Sequence, residues 1–77
     1  MPRRFTATVH FTNPDLDPVE VEEDNPDKAR IYALQKAKLT GNEPERVEWQ
    51  TEGQSQVMLW PSQEQMSVDT YRERTSG

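Results

Sequence analysis

Hydrophobic and polar residues alternate at the start of the chain. Residues 3–12 read RRFTATVHFT, with apolar side chains at Phe5, Ala7, Val9 and Phe11. This period of two, built from aromatic and β-branched residues, predicts a half-buried strand. Prolines and aspartates then interrupt the pattern over residues 13–18, and Val19 and Val21 alternate with Glu20 and Glu22. We therefore expect a second strand that forms an antiparallel hairpin with the first.

A helix is predicted from about residue 26 to residue 40. Asn25 suits the N-cap, and Pro26 suits the first helical position. Helical spacing aligns three alanines, Ala29, Ala33 and Ala37, and we expect this line to face the sheet. Tyr32, Leu34 and Leu39 are expected to fill the margins of that face. Ile31 lies roughly opposite the alanine line. Gly41 is expected to end the helix in a left-handed conformation, and Pro44 prevents its continuation.

Two further strands are predicted over residues 46–51 and 56–60, joined by a turn at 52–55. The fourth strand is apolar on both sides: Val57 and Leu59 share one face, and Met58 and Trp60 share the other. One of these faces needs cover or a partner. Residues 62–77 are polar, and we expect a tail that is partly disordered or forms a short strand near residues 67–71.

The element order predicts an α+β fold. It is a ββαββ unit in which a small, mainly antiparallel sheet carries one helix on one face, followed by a polar C-terminal tail. A single domain covers residues 1–61, and the tail covers 62–77. The second sheet face is expected to stay in water and carries Thr6, Thr8, His10, Glu20, Glu22, Arg46, Glu48 and Gln50.

Composition narrows the classes of function. The chain has 77 residues, a formal net charge of −5 and no cysteine. Disulfides, thiolate zinc sites and cysteine nucleophiles are excluded, and so small a chain is not expected to enclose a large active site. The start of the chain lacks the apolar run of a secretory signal, and we expect a soluble, cytoplasmic protein without membrane contact.

Candidate catalytic and metal-binding groups are few. His10 is the single imidazole, and its position on the polar sheet face favours a solvated side chain over a general base. Asp15, Asp17 and Glu20 are spaced like ligands for a hard cation, but Pro18 interrupts them and the glycine of an EF-hand loop is missing. We expect an ordinary acidic turn, and we predict no enzyme activity, cofactor or metal.

Charge is segregated along the chain. Residues 15–24 carry six acidic residues and no basic one, whereas residues 27–38 carry four basic residues and one acidic one. Carboxylates of Glu20 and Glu22, with Glu48 on a neighbouring strand, are candidates for an array that enters a basic groove on another protein. The alternatives are a surface that only gives solubility and protects edge strands, or nucleic-acid binding by the basic helix with Arg3 and Arg4.

The unassigned apolar side chains of the fourth strand suggest a contact patch. Met58 and Trp60 are candidate anchors, unless the tail covers them. A homodimer through the fourth strand is a further possibility.

The strand pair, the helix opening EDNPDKARIYALQKA and the second strand pair resemble small acidic proteins of bacteriophages and mobile elements. Anti-CRISPR proteins and other host-defence inhibitors are among them. The resemblance covers residues 3–60 and concerns size and element order. It implies a non-catalytic inhibitor that occludes a nucleic-acid-binding groove of a host complex in the host cytoplasm, and it gives no residue a role.

Together, these observations predict a non-enzymatic protein that binds another macromolecule through an acidic strand and loop. A nucleic-acid-binding accessory protein that uses the basic helix is the alternative, although the acidity of the chain makes direct nucleic-acid binding the less favoured class. The predicted partner-binding residues are Asp15, Asp17, Glu20, Glu22, Glu23, Glu48, Met58 and Trp60.

Overall fold

The computed structural model describes residues 3–76 and confirms the predicted α+β class. Its sheet has five strands in the order β2-β1-β3-β4-β5, with every neighbouring pair antiparallel. The elements in chain order are β1 (Phe5–Phe11), β2 (Val19–Glu23), α1 (Pro26–Leu39), β3 (Pro44–Gln50), β4 (Ser55–Leu59), β5 (Gln65–Ser67) and α2 (Val68–Ser76).

The order of the strands places β1 at the centre of the helix-covered half of the sheet. β2 and β3 flank β1 and are both antiparallel to it, so α1 crosses over β1 between them. Within the described residues β2 pairs only with β1, which leaves β2 at one edge of the sheet. The short strand β5 forms the other edge.

The ends of α1 follow the predicted capping chemistry. The Asn25 side-chain oxygen accepts hydrogen bonds from the backbone N–H of Asp27 at 2.9 Å and of Lys28 at 3.2 Å. Gly41 has a φ of 78°, and its N–H donates to the Lys38 carbonyl at 3.1 Å. These contacts satisfy backbone groups that a helix terminus leaves free, so the short segment has a defined start and end.

The main core lies between α1 and the sheet. The three helix alanines, Ala29, Ala33 and Ala37, are fully buried, and they pack in one cluster with Ala7, Val9, Phe11, Val47, Trp49 and Met58. Small side chains let the helix approach the sheet closely. The margins differ from the prediction: Leu34 is half-buried against the core, but Tyr32 is 43% exposed and Leu39 is 89% exposed. Ile31, predicted to lie away from the core, is 44% exposed.

The two faces of β4 are covered by different elements. Met58 lies directly opposite Val47 in the register, so its side chain joins the core under α1 and is only 6% exposed. Val57 points to the other face, on which α2 packs against β4, and is fully buried. Both strand edges of β4 are occupied, by β3 and β5, so a homodimer through this strand, left open above as a possibility, has no free edge to use.

Most of the segment predicted as a polar tail forms regular structure. The short strand lies at 65–67 instead of 67–71, and the helix α2 that follows was not predicted. α2 packs against β4 and β5, and the Arg46 guanidinium lies 5.5 Å from the centre of the Tyr71 ring. Since Arg46 belongs to the sheet face opposite α1, α2 covers part of the face that was expected to stay in water. Gly77 lies outside the described residues.

Within residues 3–76, no helix has the length and apolar composition that crossing a bilayer needs.

Candidate functional site

The loop between β1 and β2 presents two acidic side chains to solvent. The Asn13 side-chain oxygen accepts a hydrogen bond from the Asp15 N–H at 3.0 Å, and the Leu16 N–H donates to the Asn13 carbonyl at 3.2 Å. Leu16 is half-buried against the main core. This apolar anchor and the local turn hold the loop on the protein, while Asp15 and Asp17 remain exposed.

The edge strand β2 continues this acidic region. Glu20 and Glu22 are exposed and lie on the face opposite α1, across from Thr8 and Thr6 of β1. Alternate residues of a strand are about 6.6–6.8 Å apart, so the two carboxylates form a short row. Glu23 is half-buried and lies on the α1 side, across from Phe5. Asp15, Asp17, Glu20 and Glu22 are called the acidic surface below.

Few cations neutralise the acidic surface. Arg4 pairs with Glu22, with its Nε 3.1 Å from the Glu22 carboxylate and its Nη2 3.3 Å from the Glu22 carbonyl oxygen. Within residues 3–76, Asp15, Asp17 and Glu20 form no ion pair. Three carboxylates thus keep their charge available to a partner.

Glu48 belongs to a different cluster. It lies across Thr8 from Glu20 in the sheet, but its carboxylate accepts a hydrogen bond from the Arg46 Nε at 3.0 Å. Burial by itself lowers the pKa of the Arg46 guanidinium. The hydrogen bond to Glu48 and the electrostatic interactions with Tyr71, Glu48 and Glu45 outweigh this effect, so the pKa of the guanidinium is raised. A permanently charged Arg46 therefore neutralises the predicted third carboxylate of the array.

The apolar anchors predicted on the fourth strand, Met58 and Trp60, are not free side chains. Met58 is part of the core, which removes it from any contact surface of this structure. Trp60 is half-buried against that core, and the Lys38 ammonium lies 5.3 Å from the centre of its ring. The sequence could not place Met58 and Trp60, because alternation assigns residues to the two faces of a strand but does not show which elements cover each face.

His10 lies beside an open depression of about 360 Å³. It faces Arg46 across the strand pair, and no hydrogen bond to a carboxylate orients its ring within the described residues. A second hollow, of about 180 Å³, lies between the polar sheet face and α2 and includes Thr6, Thr8 and Arg72 in its lining. In neither hollow does a nucleophile meet a base in the arrangement that acyl or phosphoryl transfer needs.

The basic side chains of α1 make contacts of their own. Lys28 lies 3.9 Å from Asp24, and Arg30 lies 3.9 Å from Asp27 and 5.2 Å from the centre of the Trp49 ring. Lys38 covers Trp60, as described above, so three of the four bases are engaged within the molecule. They also project from different sides of the helix, unlike the stripe of a groove-reading helix.

No protein-family model, curated protein or solved structure matches this chain.

No group of three or more His, Asp or Glu side chains within residues 3–76 is arranged to hold a metal ion. The spacing of Asp15, Asp17 and Glu20 therefore does not translate into a ligand cluster.

Proposed function

We propose that this chain is a non-catalytic interaction protein that binds a basic surface of another protein through its acidic surface. The observation that carries the proposal is the charge of the loop and β2: Asp15, Asp17 and Glu20 are exposed and have no ion pair within the described residues. Complementary charge accelerates encounter and selects partners. A basic groove that normally holds nucleic acid has the charge this surface fits, and an inhibitor of such a complex is the narrower form of the proposal.

The test is affinity capture from the native host followed by mass spectrometry, with two variants of equal net charge. Glu20→Lys with Glu22→Lys reverses the acidic row on β2. Glu52→Lys with Glu73→Lys is the control. Both double variants replace one glutamate that is paired with an arginine, Glu22 or Glu52, and one that forms no ion pair in residues 3–76, Glu20 or Glu73.

We expect the wild-type protein and the control variant to recover the same partner, and the β2 variant to lose it. Equal recovery by both variants would remove the acidic surface from the mechanism. If the chain shifts DNA or RNA at low salt and Lys36→Ala with Lys38→Ala abolishes the shift, the basic helix is the binding element instead.

A further inference from the structure

The free edge of β2 has apolar and acidic sides that match one kind of ligand. A strand at a sheet edge leaves alternate backbone N–H and C=O groups without partners, and an extended segment can pair with them. Residues 3–76 contain no strand beyond β2. On one side of this edge lie the carboxylates of Glu20 and Glu22. On the other side lie Val19, Val21 and the half-buried Glu23; the two valines are half-buried although their neighbours Ala7 and Val9 are fully buried.

The exposed apolar side chains of α1 extend this apolar side. Arg30 covers Trp49 of β3, and Lys38 covers Trp60 just beyond β4, so that side of the helix faces β3 and β4. Spacing of 100° per residue puts Tyr32 and Leu39 on the opposite side, together with Lys36, and the strand order turns this side toward β2. Both are exposed, Tyr32 at 43% and Leu39 at 89%. A strand added to β2 would place its inward side chains beside Val19 and Val21, on the side of the sheet toward which Tyr32 projects.

Arg4 shows how a cation sits on the other side of β2. Its guanidinium contacts both the carboxylate and the carbonyl of Glu22, at 3.1 Å and 3.3 Å. Glu20 lies two residues earlier on the same face and forms no ion pair within the described part of the chain. It is the open position for a second cation. A second copy of β2 does not fit there, because rows of glutamates would face each other across the new strand pair and repel.

We infer that the β2 edge binds an extended segment of the partner protein in which basic and apolar residues alternate. This mode of recognition rests on the proposed function. The backbone of the segment extends the sheet. Its Lys or Arg side chains lie beside Glu20 and Glu22, and its apolar side chains lie beside Val21 and Tyr32.

The experiment uses two synthetic seven-residue peptides that alternate Lys and Val, one with ordinary amides and one N-methylated at every backbone amide. Both carry the same charge, but only the first can donate backbone hydrogen bonds. We expect the ordinary peptide to bind the full chain at low salt, at least tenfold more tightly than the methylated one. Hydrogen exchange should slow at backbone amides of residues 19–23.

Two adjacent helix residues give a matched pair of variants. Tyr32→Ala should weaken peptide binding about threefold or more, whereas Ile31→Ala, equally exposed but farther round the helix from β2, should leave it unchanged. Circular dichroism and thermal melting of both variants show whether each is folded, and peptide binding that depends equally on both residues would contradict the placement.

The outcomes separate this inference from the proposed function. Equal affinity for the two peptides overturns strand addition and leaves charge-driven binding intact. Failure of the ordinary peptide to bind also overturns the inference, while loss of the captured host partner in the Glu20→Lys, Glu22→Lys variant would still support the acidic surface. A dimer of the free chain whose interface protects residues 19–23 would show that a second copy occupies the edge, and would overturn it too.

Discussion

At the residue scale, burial separates side chains that the sequence makes look alike. Met58 and Leu39 are both large apolar residues, yet Met58 is 6% exposed and Leu39 is 89% exposed. The difference comes from partners: Met58 faces Val47 under α1, whereas Leu39 is at the last turn of the helix, away from the alanine line. Periodicity gave the alanine line correctly, and with that line buried against the sheet Leu39 lies about 120° round the helix from Ala33, too far to reach the sheet.

We expect Met58→Ala to lower the free energy of unfolding by about 2–5 kcal/mol, because it removes a buried side chain and leaves a cavity. Leu39→Ala is the control and should change it by less than about 0.5 kcal/mol. Urea denaturation followed by tryptophan fluorescence measures both. Similar effects of the two substitutions would contradict the assignment of Met58 to the core.

The N-cap of α1 offers a second test at this scale. Asn25→Ala removes the acceptor for two backbone N–H groups and should cost about 1 kcal/mol of stability. Asn13→Ala is matched to it, since Asn13 also accepts a backbone hydrogen bond but in an exposed loop turn, and we expect a smaller loss. Thermal melting compares the two; a larger loss at residue 13 would mean that the loop contributes more than the helix cap.

At the element scale, the sequence predicted the strands and the helix that have strong periodicity or capping signals. It missed α2 because residues 68–76 contain only Val68 and Tyr71 as larger apolar side chains, too few for a helical pattern. That omission left one face of β4 without cover. The acidic residues of the site could be read from the sequence, but the edge position of β2 and the neutralisation of Glu48 by Arg46 depend on strand order and register, which one sequence does not give.

The packing of α2 can be tested through Tyr71. Tyr71→Ala removes the ring that lies against Arg46 and should destabilise the fold by about 1–3 kcal/mol. Glu73→Ala, exposed on the same helix, should have an effect below about 0.5 kcal/mol. Chemical denaturation gives both values, and an unchanged midpoint for Tyr71→Ala would show that α2 contributes little to the cover of the sheet.

At the scale of the whole molecule, charge and shape reinforce each other at one edge of the sheet. The loop and β2 concentrate acidic groups at an edge that no further strand of residues 3–76 pairs with, while the basic groups of α1 are largely engaged by Asp24, Asp27 and the two tryptophans. The same carboxylates discourage the edge from pairing with a copy of itself. A surface that repels its own copy and attracts cations favours a basic partner.

The most direct measurement is the dissociation constant of the captured partner at two salt concentrations, for the wild-type chain and for the two charge-reversed variants. The acidic surface predicts that Glu20→Lys with Glu22→Lys weakens binding at least tenfold at low salt and flattens its salt dependence. Glu52→Lys with Glu73→Lys should keep both the affinity and the salt dependence close to wild type. Equal losses in the two variants would mean that net charge, and not the carboxylates of β2, governs the interaction, contrary to the proposal.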